Sequence, residues 1–275
     1  MQRDERYYTL INIEHCMLRR WCHDFGNKDV CNMHCQRGDN MNYFLAVSEL
    51  PRKYCALPYL EIEKIENPDT RSFLEYMFYN IDRFVDEGYQ AYFFGPTGTG
   101  KTAWAAMALA QYLKKVSKDG VHRVPGVFVA VPEILRKLKY YTGRVNTWLD
   151  AFIDDIKNCP MVVWDDLTVT ELTPFETQFL YSMINERIDN CKCNIYTNVA
   201  SPDILFTTSN RLASKVCSNS SCIEFTGDSL CGDYKFTDLI KESEEILKQQ
   251  ELESTKNENE EVVSEAQETN DERCD

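Results

Sequence analysis

Lys101 and Thr102 close the stretch "GPTGTGKT", which fits the pattern G-x-x-x-x-G-K-[ST] with Gly95, Gly100, Lys101 and Thr102 at its fixed positions. Glycines let such a loop curl until successive backbone N–H groups point inward, where phosphate oxygens can accept from them. A helix starting at Lys101 adds the positive end of its dipole. Gly95, Pro96, Thr97, Gly98, Thr99 and Gly100 are therefore expected to cradle phosphates. Lys101 is expected to neutralise the terminal phosphates, and the Thr102 hydroxyl to take one Mg²⁺ position. The expected ligands are ATP and Mg²⁺.

The second chemical element is "MVVWDDLT", an apolar strand that delivers the Asp165 carboxylate to the same Mg²⁺ ion, 64 residues after Lys101. Asp166 stands where many ATPases place a glutamate that polarises the attacking water. Its side chain is one methylene shorter, which predicts poorer positioning and slow turnover. The third element, "CNIYTNVA", is a strand ending in Thr197 and Asn198. A polar amide at a strand tip beside the γ-phosphate can report hydrolysis, and Asn198 is given that sensor role, although asparagine also commonly ends strands.

These residues need a scaffold that brings strand ends together. The pattern predicts helices over 71–86, 101–116, 132–141, 147–157 and 174–190, and strands over 90–94, 126–131, 161–165 and 193–197. The strands are short apolar runs bounded by polar turns, as in a parallel sheet covered on both faces. The fold class is α/β, with a parallel sheet flanked by helices. Three zones follow: residues 1–50, rich in Cys and His and ending at Pro51; an ATPase domain over 51–240; and an acidic tail over 241–275. The tail's low hydrophobicity and high charge predict disorder, after a helix continuing from Phe236.

Charge and composition narrow the function. The chain has 275 residues and a net charge of −14, of which −9 falls in 241–275, where 13 acidic and 4 basic side chains stand. Charge in the rest is locally mixed, so a nucleic-acid partner remains compatible. No run approaches the roughly 18–20 apolar residues of a membrane span, and "MQRDERYYTL" has no signal-like apolar region. The expectation is a cytoplasmic protein with reduced thiols. Between the first two chemical elements, "EILRKLKYYTGR" sets Arg136, Lys137, Lys139 and Arg144 beside Tyr140 and Tyr141. Cations that follow phosphates and rings that stack on bases suit single-stranded nucleic acid. An amphipathic helix with a solvated basic face is the equally weighted plain alternative.

The N-terminal zone holds Cys16, Cys22, Cys31 and Cys35, with His15, His23 and His34 nearby. Tetrahedral Zn²⁺ takes four thiolate or imidazole ligands, usually from pairs two to four residues apart. Cys31 and Cys35 fit that spacing, and Cys16 and Cys22 are wider. A core of Cys22, Cys31 and Cys35 with Cys16 or a His as the fourth ligand is the alternative. A structural metal would explain how so short a segment folds. Cys55, Cys159, Cys191, Cys193, Cys217, Cys222, Cys231 and Cys274 read as ordinary reduced thiols.

The motif order, from "GPTGTGKT" through "VVWDDLT", the helix bearing "MINERID", the strand "NIYTN" and then "SNRLASKV", resembles the DnaC/DnaI-type replicative-helicase loaders. These are AAA+ ATPases, include phage-encoded versions, and are related to the transposition helper ATPases of insertion sequences. The resemblance covers roughly residues 50–235. It implies an AAA+ fold, single-stranded DNA and a replicative DNA helicase as partners, docking through the N-terminal zone, and a bacterial cytoplasm, phage-infected or not. It also implies that Arg211 reaches into a neighbouring subunit's site in a homo-oligomer, as an arginine finger. A surface arginine capping a helix is the plainer alternative. The family usually carries a second arginine where this chain has Lys215, and "CSNSSCIEFTGDSLCGDYKF" contains no arginine for a second sensor. Two further readings stand beside the loader: a transposition helper ATPase, and a nucleotide-binding adaptor with little or no turnover.

Overall fold

The strand segments "QAYFF", "GVFVA", "MVVWD" and "CNIYTN" carry apolar side chains on both sides of the pleat, so each must be covered twice. The computed structural model describes Leu18, residues 35–51, positions 54, 62 and 65, and residues 67–117, 124–167, 172–208 and 210–227. In chain order they form α1 (Gln36–Val47), α2 (Pro68–Tyr79), α3 (Ile81–Asp86), β1 (Gln90–Phe94), α4 (Lys101–Val116), β2 (Gly126–Ala130), α5 (Val131–Tyr140) and α6 (Thr147–Asn158). There follow β3 (Met161–Asp165), α7 (Pro174–Asp189), β4 (Cys193–Asn198), α8 (Pro202–Thr208), α9 (Asn210–Cys217) and β5 (Ser221–Glu224).

The five strands lie in the order β2-β3-β4-β1-β5, and every pairing is parallel. Side chains alternate between two cores. Phe93, Phe128, Val163 and Ile195 pack with Phe44, Leu74, Phe84 and Leu109 from α1 to α4. Tyr92, Val162, Trp164 and Tyr196 pack with Leu135, Phe152, Leu180 and Leu212 on the opposite face. This is the expected α/β architecture. No helix among the described residues is long and apolar enough to cross a membrane.

Local chemistry fixes several boundaries. The Thr173 side chain and Glu176 form a reciprocal capping box, with Pro174 at the first helical position of α7. Asn67 and Asn146 cap α2 and α6 by accepting from two backbone N–H groups each. The single helix predicted over 71–86 is two helices. Asn80 leaves helical geometry between them, and both its backbone and side-chain N–H donate to Tyr76 O at 3.0 Å.

Helix α1 precedes the expected boundary at Pro51 but buries Met41, Phe44 and Leu45 in the core that also holds α4. Asn40 donates to Ser117 O at 2.9 Å, and the Phe128 N–H of edge strand β2 donates to Ser48 O at 2.7 Å. Residues 36–50 are thus bonded to the sheet and to α4.

Candidate nucleotide site and basic cleft

β1 ends at Phe94 and α4 begins at Lys101, the strand–loop–helix context that the glycine pattern requires. Gly95 has φ 137°, and a Cβ there would fall 2.1 Å from the Phe225 carbonyl oxygen. Only glycine fits this close approach, which the Phe225 N–H bond to Phe94 O, 2.7 Å, holds in place. Gly100, at the N-cap of α4, is left-handed with φ 88°.

Lys101 is 6% exposed and folds over its own loop. Its ammonium donates to Gly95 O at 2.9 Å, to Pro96 O, and to Thr99 Oγ1 at 3.5 Å, so all three protons have acceptors. Burial lowers its pKa, and the nearby Asp166 and Asp165 carboxylates oppose that shift. The lysine therefore senses both carboxylates of the β3 end.

The β3–β4 pairing puts Trp164 beside Tyr196, so the next residues, Asp165 and Thr197, meet at the strand ends. The Thr197 hydroxyl donates to Asp165 Oδ1 at 2.7 Å and accepts the Asp166 N–H at 3.0 Å. Asp166 has φ 53°, a left-handed conformation uncommon for a side-chain-bearing residue. Thr102, half-buried on the first turn of α4, and half-buried Asp165 offer only oxygen donors. Such a hard donor set fits Mg²⁺.

Asn198 is buried beside this cluster and turned toward the backbone. Its Oδ1 accepts the Val199 N–H at 2.8 Å and the Ala200 N–H at 3.4 Å. It also hydrogen-bonds the Tyr92 phenol, which donates to Ala200 O at 2.7 Å. Thr197 is the β4 residue in contact with Asp165, a role that sequence reasoning missed because threonine is ordinary in strands. Arg211 is exposed on α9, with its guanidinium 4.6 Å from the Tyr181 ring centre of α7. Lys215 on the same helix pairs with Asp189 at 2.9 Å.

Below the site, at the opposite ends of β3 and β4, Arg187 of α7 is fully buried. Its five N–H groups donate to Asn194 Oδ1, Ile156 O, Cys159 O, Pro160 O and Cys193 O. This guanidinium ties α7 to the starts of the two strands whose far ends carry Asp165 and Thr197. It is the physical content of "MINERID".

The residues expected to meet DNA lie on α5 and the α5–α6 turn. Arg136, Lys137, Tyr140, Tyr141, Asn146 and Trp148 line a cleft of about 380 Å³. Tyr140 is 64% exposed, with the Arg144 guanidinium 5.5 Å from its ring centre. Two of the four expected cations have acidic partners within the fold. Lys137 pairs with Glu133 at 3.0 Å and lies 4.2 Å from the Trp148 ring centre. Lys139 pairs with Glu176 at 2.8 Å.

Cys16, Cys22 and Cys31 lie outside the described residues, as do the acidic tail and the helix expected from Phe236. Cys35, half-buried, occupies the N-cap position of α1 and is a free thiol. Among the described residues no cluster of three or more His, Cys, Asp and Glu side chains is placed to hold a metal ion, and Cys159, Cys191, Cys193, Cys217 and Cys222 are free thiols.

No protein-family model matches the chain. No curated protein matches its sequence. Solved structures do resemble it. The crystal structure of DnaI is similar over 67% of this chain and 98% of that one, at 20% identity and a TM-score of 0.51. The DnaC helicase loader is similar over 64% of this chain and 100% of that one, at 19% identity and a TM-score of 0.48. A replication initiator, DnaA bound to AMPPCP and single-stranded DNA, is similar over 65% of this chain and 51% of that one, at 16% identity and a TM-score of 0.49. At such identities the likeness is one of fold: the chain shares with DnaI a parallel sheet flanked by helices, the architecture that the resemblance to the DnaC/DnaI type implied.

Proposed function

We propose that this chain is an ATP-dependent loader of a replicative DNA helicase onto single-stranded DNA. The observation that carries the nucleotide part is the strand–glycine loop–helix turn between β1 and α4, with Lys101 at the start of the helix and its ammonium held on the loop carbonyls. In this reading the loop N–H groups and the start of α4 bind the ATP phosphates. Lys101 exchanges its loop carbonyls for phosphate oxygens. Thr102 and Asp165 hold Mg²⁺, which when bound neutralises phosphate charge. Asp166 accepts a proton from the attacking water, and Asn198 reports the γ-phosphate. Arg211, exposed on α9, completes the site of an adjoining copy in an oligomer.

The loader part rests on the order of motifs from "GPTGTGKT" to "SNRLASKV" and on the shared fold. Single-stranded DNA is assigned to the cleft of Tyr140, Tyr141, Arg136 and Arg144, and helicase docking to the Cys/His-rich N-terminal zone, with zinc bound through Cys16, Cys22, Cys31 and Cys35. The division into N-terminal zone, ATPase domain and acidic tail, and the bacterial cytoplasmic setting, belong to the same proposal. A nucleotide-binding adaptor with little turnover is the second reading, favoured by the short Asp166 side chain.

Co-purification from native cells with ATP tests the proposal, using the full chain and a chain lacking residues 1–34. The cut stops short of α1 because Met41, Phe44 and Leu45 belong to the core. A replicative helicase recovered only with the full chain supports the loader. Recovery of a transposase supports the transposition helper instead. A helicase recovered equally with both chains contradicts docking through the N-terminal zone.

A further inference from the structure

We infer that Thr197 is a positioning residue that sets the Asp165–Asp166 turn for its work on the nucleotide, an inference that rests on the nucleotide reading above. The β3–β4 pairing ends at Trp164 and Tyr196, while Asp165 stays in register with Ala130 of β2 on its other side. On the β4 side one residue takes over. The Thr197 hydroxyl proton goes to Asp165 Oδ1 at 2.7 Å, and its oxygen accepts the Asp166 N–H at 3.0 Å. The Thr197 carbonyl then accepts the Leu167 N–H, also at 3.0 Å. The last residue of β3 and the two turn residues after it are thus bonded to one fully buried side chain and its own peptide.

Each bond has a separate consequence. The bond to Oδ1 restrains rotation of the Asp165 carboxylate and so helps set where its second oxygen points. The bond from the Asp166 N–H stabilises a φ of 53°, and that backbone state decides where the Asp166 carboxylate is aimed. A hydroxyl serves both because it donates and accepts at once. The β-branch adds a stiff χ1 suited to a strand. Valine matches the shape and loses both bonds; serine keeps them.

The test compares the full-length wild type, Thr197→Val and Thr197→Ser by three readouts. These are affinity for a fluorescent ATP analogue with Mg²⁺ and with EDTA, ATP turnover, and amide hydrogen exchange at residues 166 and 167 in nucleotide-free protein. Thr197→Val is expected to lose about 10-fold of the Mg²⁺-dependent gain in affinity, as supporting residues around metal ligands do. Its EDTA affinity should be unchanged and its Asp166 amide should exchange faster. Thr197→Ser should restore both. Wild-type Mg²⁺ dependence and exchange in Thr197→Val overturns the inference, as does a Thr197→Ser variant impaired as fully as the valine. If the valine variant does not fold, Thr197→Ala, which also lacks the hydroxyl, takes its place beside Thr197→Ser with the same expected and overturning results. A wild type that binds no nucleotide in either condition overturns the nucleotide reading itself, and the inference with it.

Discussion

The Lys139 ammonium lies 2.8 Å from the Glu176 carboxylate, joining the basic helix α5 to the first turn of α7. Glu176 also accepts from the Thr173 backbone N–H at 2.8 Å and from the Thr173 hydroxyl at 2.7 Å. One carboxylate thus caps α7 and engages a cation that, from spacing alone, looked free for DNA. Because α7 is the next described helix after the Asp165–Asp166 turn, the ion pair also ties α5 to the helix that follows that turn.

That carboxylate makes stability depend on pH. Lys139 foremost, then Thr173, lower the Glu176 pKa from 4.5 to about 2. A depressed carboxylate stabilises the fold fully above its unfolded pKa, and that contribution is lost as pH falls toward the folded value. Urea denaturation should show stability declining as pH drops from ~4.5 toward ~2. Glu176→Gln should be less stable than wild type near neutrality and should show a shallower decline. Parallel curves for the two proteins would remove Glu176 from this role.

The DNA reading now separates its cations. Arg136→Ala and Arg144→Ala should each weaken binding to single-stranded DNA and lower the slope of log affinity against log salt by about 0.7. Tyr140→Ala should cost about 1–3 kcal/mol if a base stacks on its exposed ring. Lys139→Ala should change affinity little, because its charge is already paired with Glu176. Fluorescence anisotropy across a salt series measures all four. A Lys139→Ala loss as large as that of Arg136→Ala would contradict this division.

Arg187 should dominate the stability of the lower end of the sheet. Removing the guanidinium takes a donor from the buried Ile156, Cys159 and Cys193 carbonyls, while Asn194 Oδ1 keeps the Trp164 Nε1–H, so Arg187→Ala should destabilise by about 3–5 kcal/mol. Arg187→Lys offers three donors for five acceptors and should still destabilise. Thermal or urea denaturation gives the ranking. An alanine variant as stable as wild type would show that the network is dispensable.

The central elements were legible because their signals are local. Helix 101–116 and strand 161–165 appear with the predicted bounds, since the glycine loop and an apolar run followed by two aspartates mark them sharply. β5 was not predicted: "SCIE" has one apolar branched residue, is largely exposed, and owes its strand form to pairing with β1. Helix α1 escaped notice because its buried residues become informative only when α4 is placed against them. The same holds at the site. Lys101 and the aspartates announce themselves by type and spacing, whereas the Thr197 bonds and the Lys139–Glu176 pair exist only once distant segments meet.

Arg211 can be tested through mixing. Alone, Arg211→Ala should bind ATP normally yet lose at least ~10³-fold in turnover, the scale of an arginine finger. Mixed with Lys101→Ala chains, it should regain activity, because some neighbouring pairs then combine an intact Lys101 with an intact Arg211. Turnover by the mixture no higher than the sum of the two variants would argue that Arg211 does not act across a subunit boundary.

The most direct measurement is ATP turnover by the full-length chain, with and without single-stranded DNA, beside Lys101→Ala. The account predicts slow turnover that responds to single-stranded DNA and disappears in the variant, together with its nucleotide binding. Wild-type ATP affinity and turnover in Lys101→Ala would contradict the assignment of the glycine loop as the nucleotide site.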